Sequence, residues 1–89
     1  MKDVCKFIFD EGIKEDAIEE RIALAIITAE CTFGQAKVRL NASYLASGNK
    51  AVIDVSSEVG EHIAQVFTGL MTRQYGEDKF TVKRIKGEV

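Results

Sequence analysis

Residues 36–55 read AKVRLNASYLASGNKAVIDV, and this stretch decides the fold. Apolar and polar side chains alternate along it on both sides of a Ser-Gly-Asn-Lys sequence at 47–50. Strict alternation is typical of a strand with one buried face, and Gly and Asn tolerate the positive φ values of tight hairpin turns. The stretch therefore predicts a β-hairpin, with strands at 36–44 and 51–55.

A helix is the competing interpretation of the first half of this stretch. If residues 33–46 were helical, Ala36, Leu40 and Tyr44 would share one apolar face, because four-residue spacing brings side chains to the same side of a helix. That choice would change the fold.

The flanking segments have helical patterns. Residues 14–30 begin with acidic side chains, which suit the first turns of a helix, and residues 57–75 combine a serine N-cap with a clear amphipathic stripe. At the two ends, residues 4–9 and 80–85 are rich in β-forming residues and predict strands. A short helix at 3–11 competes with the first of these strands.

The predicted order is strand, helix, strand, strand, helix, strand, within a single domain covering residues 1–89. This is the split βαβ arrangement of ferredoxin-like α+β domains, in which an antiparallel sheet carries two helices on one face. The other face is left to solvent, a second subunit or a ligand. If both competing helices formed instead, the architecture would be a winged-helix-like helical cluster with a β-hairpin.

Composition indicates an ordinary globular protein. Of the 89 residues, 46% are hydrophobic and 29% charged, which excludes a disordered chain. The longest apolar run, Ile22–Ile27, is far shorter than the roughly 20 residues of a membrane span. Cys5 and Cys31 lack CxxC spacing and are expected to be reduced thiols. We therefore expect a cytoplasmic protein with no membrane contact.

No chemical motif stands out. Cys5, Cys31 and His62 are zinc-ligand types, but they lack the close spacing that makes zinc motifs specific. The acidic residues at 10–20 do not follow the order of a calcium loop, and the glycines form no phosphate-binding motif. Because general acid–base catalysis needs positioned titratable pairs, and none is identifiable, the sequence predicts a protein that is not an enzyme and carries no cofactor.

Nucleic-acid binding is one functional hypothesis, because basic side chains recur in the second strand and near the C-terminus and could neutralise phosphates. The candidate residues are Lys37, Arg39, Lys79, Lys83, Arg84 and Lys86. Against it, the predicted solvent face of the sheet has no aromatic residue for base stacking, and the isoelectric point is about 5.4.

A small oligomerising interaction or regulatory module is the preferred hypothesis. The second half of the first helix is apolar nearly all round, and its candidate interface residues are Ile22, Leu24, Ile26 and Ile27. Residues 1–31 carry four basic and eight acidic side chains, whereas residues 73–89 carry five basic and three acidic ones. Opposed charges suit a symmetric homodimer.

Overall fold

A computed structural model describes residues 3–86 and shows a small α+β domain. The described elements are β1 (Val4–Phe9), α1 (Glu15–Phe33), α2 (Gln35–Asn41), β2 (Tyr44–Ser47), β3 (Lys50–Asp54), α3 (Glu58–Tyr75) and β4 (Phe80–Ile85), with a 3-10 turn at Glu77–Lys79 before β4. The α+β class is confirmed. So are the strand at 4–9, the strand at 80–85 and the two long helices.

The four strands form one antiparallel sheet in the order β2-β3-β1-β4. Central strand β1 pairs with β3 on one side and β4 on the other, so that Phe7 lies between Ala51 and Val82. Helices α1 and α3 pack on each other and on the sheet face that carries Phe7, Ala51 and Ile53. No helix of the described chain covers the opposite face, which is called the open face below.

The predicted first hairpin strand is wrong for most of its length. Residues 35–41 form α2, and β2 begins only at Tyr44. Val38 is buried while Leu40 is 85% exposed, so the apolar positions that alternate in sequence do not share an environment. Val38 and Ala42 instead pack on the core at helical spacing. The hairpin survives in a shorter form, with β2 paired to β3.

The winged-helix alternative is also wrong. It required a helix at 3–11, where the structure has strand β1, and one long helix at 33–46, where α1 ends at Phe33, α2 is a separate short helix and β2 follows. Gly34 separates α1 from α2 with a φ of 89°, a backbone conformation that glycine adopts without steric cost. The chain turns at this residue, and α2 packs against both α1 and α3.

An aromatic cluster forms the centre of the core. The ring of Phe67 on α3 contacts the rings of Phe7 and Phe9 edge-on, with distances of 5.0 Å and 5.9 Å between ring centroids. The ring centroids of Phe9 and Phe80 lie 5.3 Å apart. Edge-to-face contacts of this kind add to the stabilisation that comes from burying the rings. The cluster therefore fixes the position of α3 over β1.

Helix α3 begins as predicted. Ser57 is extended and its hydroxyl accepts a hydrogen bond from the Gly60 N–H at 3.2 Å, which makes it the N-cap. Gly60 lies against the backbone that leads out of β3, where a Cβ would come within 2.9 Å of the carbonyl carbon of Asp54. A side chain larger than hydrogen at position 60 would therefore have to displace the backbone at the end of β3.

Among the described residues, no helix is both long enough and apolar enough to cross a membrane.

Candidate interaction surfaces

In each of the four strands, successive side chains point to opposite faces of the sheet, and one of the two sets forms the open face. In β1, Phe7 and Phe9 point into the core, so the intervening side chains point the other way. Cross-strand register then sets their neighbours. The open face consists of Val4, Lys6, Ile8, Leu45, Ser47, Lys50, Val52, Asp54, Thr81, Lys83 and Ile85.

One row across the open face is apolar at one end and basic at the other. Leu45 pairs with Val52, Val52 with Lys6, and Lys6 with Lys83. Directly paired side chains have Cβ atoms about 5 Å apart, so the two lysines repel each other mildly. Leu45 is 67% exposed although it is a large apolar side chain. The row therefore exposes apolar side chains at one end and two neighbouring positive charges at the other.

Three lysines on the open face have no ion-pair partner within residues 3–86. Lys6, Lys50 and Lys83 take part in none of the ion pairs of this part of the chain. The acidic residue of the face, Asp54, is buried, and its carboxylate accepts hydrogen bonds from the backbone and hydroxyl of Ser56. The open face thus has a net positive charge on a chain whose overall charge is −2.

Two shallow depressions lie on the open face, on either side of the Leu45–Val52 pair. The larger, of about 410 Å³, is bordered by Lys6, Ser47 and Lys50, and the smaller, of about 160 Å³, by Val4 and Tyr44 among others. Both share Leu45 and Val52, so they form one continuous surface.

The predicted interface residues on α1 separate into three environments. Ile22 is fully buried in the core and is not available to a partner. Ile26 packs half-buried toward α2, where it lines a cleft of about 420 Å³ with Val38 and Tyr44. Leu24 and Ile27 are 40% and 53% exposed.

Leu24 and Ile27 belong to a longer exposed strip of α1. At 100° per residue they lie on the side opposite the buried Ile18 and Ile22, together with the exposed Cys31. Asp16 and Glu20, both exposed, occupy the same side toward the start of the helix. We call Asp16, Glu20, Leu24, Ile27 and Cys31 the outer stripe of α1. It is acidic at one end and apolar at the other.

The predicted nucleic-acid residues are not brought together. Lys37 and Arg39 lie on α2, in the helical layer and not on the sheet, and Lys37 pairs with Glu58. Lys79 lies 3.9 Å from Asp10. The basic groups in these pairs already have a carboxylate partner.

The basic residues near the C-terminus differ in whether they pair with a carboxylate. Arg84 lies 2.6 Å from Glu61 and 3.7 Å from Asp3, and the hydrogen bond with Glu61 raises the pKa of Arg84. Lys83 is on the open face, and Lys86 is exposed beyond the end of β4. Of the predicted set, Lys83 alone belongs to the unpaired lysine group of the open face.

The structure adds Lys6, Lys50 and Leu45, which the sequence analysis did not select. A signal for Lys6 is present, because it lies between the half-buried Cys5 and the buried Phe7 in an alternating strand. Nothing local marks Lys50, which the sequence pattern places in the hairpin turn. Strand register makes it a neighbour of Ile8 on the open face.

The cysteine and histidine side chains do not form a site. Cys5 faces the helices, and desolvation by burial raises the pKa of its thiol, whereas Cys31 is exposed on α1. His62 meets Phe33 edge-on at 5.5 Å, and its buried Nε2 has no hydrogen-bond partner among the described residues. Within residues 3–86, no three His, Cys, Asp or Glu side chains converge in a way that would hold a metal ion.

Comparison with models of protein families and with curated proteins finds no match for this chain. Its function is therefore inferred from the open face and the outer stripe of α1.

Proposed function

We propose that this chain is a small self-associating interaction or regulatory module without catalytic activity. The observation that carries the proposal is the open face, where five aliphatic side chains and three unpaired lysines are left uncovered by the described part of the chain. Single exposed apolar residues are common, but contiguous apolar patches with a polar border mark interaction sites.

The topology supports an interaction role. We propose that the domain is a variant of the split βαβ, ferredoxin-like arrangement, with α2 inserted between α1 and β2. The supporting observations are the strand order β2-β3-β1-β4 and the two long helices on one side of the sheet. In this arrangement one sheet face packs on the helices, while the other is free to bind a partner.

The outer stripe of α1 supports self-association. Leu24 and Ile27 are apolar side chains that are exposed to solvent. Contact with a partner would remove their apolar surface from water, which favours association. The open face carries aliphatic side chains, which can pack on a partner, and ammonium groups, which can bind negative charges of a partner. The proposal places the protein in the cytoplasm, where Cys5 and Cys31 would remain thiols.

The experiment is a measurement of molar mass against protein concentration, by sedimentation velocity and light scattering. We expect a reversible increase in mass, beginning with a dimer, because both exposed surfaces belong to the same chain. A monomer at every accessible concentration would refute self-association.

A second candidate function is a nucleic-acid-binding regulatory protein. The observation in its favour is the group formed by Lys6, Lys50 and Lys83, which could contact phosphates together. The open face has no aromatic side chain for base stacking, which favours the first proposal. Gel-shift titrations with single-stranded RNA and duplex DNA test this alternative. Binding that weakens steeply with salt and is lost in Lys83→Glu would support it.

A further inference from the structure

We propose that the open face binds the outer stripe of α1 of a second copy, so that the chains associate head to tail. This inference rests on the proposed self-association and identifies the two surfaces that meet. It differs from a symmetric dimer because two dissimilar surfaces form each contact.

The open face is a poor partner for itself. In a twofold contact, the same surface is supplied by both copies, so Lys6, Lys50 and Lys83 of one chain would meet only the lysines and the aliphatic and hydroxyl side chains of the other. These ammonium groups would lose water in the contact without gaining a carboxylate, because Asp54 is buried and bonded to Ser56. Like charges facing each other across an interface disfavour association.

The outer stripe of α1 has the complementary chemistry. Its N-terminal half carries the carboxylates of Asp16 and Glu20, and its C-terminal half carries Leu24 and Ile27. Glu20 lies 3.5 Å from Arg21, but its side chain keeps 70% of its exposure and remains accessible to a partner. Carboxylates would meet the lysines of the open face, while the aliphatic side chains would meet Leu45 and Val52.

Most of the stripe matches the width of the open face. At a rise of 1.5 Å per residue, the part from Glu20 to Cys31 is about 16 Å long, and Asp16 lies about 6 Å further along the helix. Three strand spacings of about 4.8 Å place the outer strands of the sheet about 14 Å apart. The apolar-to-basic row from Leu45 to Lys83 runs across this width. An α1 helix crossing the strands would therefore match apolar to apolar and acidic to basic groups along its length.

A head-to-tail contact leaves one open face and one stripe unused at the ends of each assembly. Further copies can add until the assembly closes into a ring. If the rotation between neighbouring copies does not bring the ends together, copies can add without limit. The expected mass distribution therefore extends beyond a dimer.

The test is a complementation experiment with two exposed substitutions. Lys83→Glu reverses charge on the open face and leaves the stripe intact, whereas Ile27→Ser removes apolar area from the stripe and leaves the open face intact. We expect each variant alone to require at least tenfold more protein to associate than the unchanged chain. An equal mixture of the two should form a one-to-one dimer and no larger species, because one intact face and one intact stripe remain.

Matched controls separate the two surfaces from general effects of charge and apolarity. Arg73→Glu makes the same charge change on the exposed side of α3, and Leu40→Ser removes an exposed apolar side chain from α2. Both should associate like the unchanged chain. Circular dichroism and thermal unfolding of every variant would establish that the fold is kept.

The possible outcomes are distinguishable. If the unchanged chain associates but the mixture stays monomeric, or if Lys83→Glu associates normally, the head-to-tail contact is refuted while self-association stands. If the unchanged chain is monomeric throughout, the proposed function and this inference fail together. A dimer formed only in the mixture supports the contact.

Discussion

Replacing Gly60 by alanine tests the packing of α3 on the end of β3. The added Cβ would lie against the carbonyl of Asp54, 2.9 Å from its carbon, and 3.2 Å from the Cα of Val55. These are backbone atoms, so no side chain can rotate away, and α3 or the β3–α3 connection must move. The hydrogen bond from the Gly60 N–H to Ser57 lies at the same point and would be disturbed as well.

The expected cost follows from two opposed terms. Overpacking costs about 3 kcal/mol at the upper end of its usual range, and alanine recovers about 1 kcal/mol of helix propensity. We therefore expect Gly60→Ala to lower the free energy of unfolding by about 2 kcal/mol. For a domain of this size that corresponds to a decrease in Tm of about 10 °C.

Gly69→Ala in the same helix is the matched control. Gly69 is exposed and a Cβ there meets nothing within 4 Å, so only the propensity term of about 1 kcal/mol remains, in the stabilising direction. Urea unfolding followed by circular dichroism measures both variants. If Gly60→Ala were as stable as Gly69→Ala, the close approach of α3 to β3 would be wrong.

Three further predictions concern single residues. Lys14 is in an extended conformation at the N-cap of α1 without a side-chain cap, so Lys14→Ser should raise the free energy of unfolding by about 1 kcal/mol in urea titrations. His62→Phe removes an unpaired buried nitrogen and retains the edge contact with Phe33, so it should also stabilise by about 1 kcal/mol; a lower Tm would contradict this. Burial raises the pKa of the Cys5 thiol and thereby lowers its thiolate fraction at neutral pH. A chromogenic disulfide should therefore react slowly with Cys5 and rapidly with the exposed Cys31. A single fast phase for both thiols would contradict this prediction.

Helix α3 and strand β1 were predicted correctly because the apolar period that the sequence favours is also the one that packs on the core. Helix α3 repeats its stripe over several turns and has a serine N-cap, so competing periods do not fit it. Strand β1 is shorter, but Cys5, Phe7 and Phe9 alternate with Lys6 and Ile8, and the structure keeps that alternation. In both cases local pattern and tertiary packing agree.

The segment at 35–42 shows where local pattern is insufficient. Ala36, Val38, Leu40 and Ala42 satisfy period two, while Val38 and Ala42 also satisfy the four-residue spacing of a helix. Over one or two turns these patterns overlap, and packing on α1 and α3 decides between them. Residues such as Gln, Lys, Arg and Leu are also good helix formers, which removes any local penalty for α2.

The sequence by itself determined which residues of α3 and of β1 are buried, because burial in these elements follows a regular period along the chain, whereas the apolar second half of α1 left buried and exposed positions undistinguished. Only the tertiary structure decided which charges share a surface and which are already paired. Lys6, Lys50 and Lys83 are far apart in sequence and are united by strand register, whereas Lys37 and Arg84 are engaged by Glu58 and Glu61. Cross-strand neighbours and ion pairs depend on distances between elements, and those distances are set by core packing and not by any local repeat.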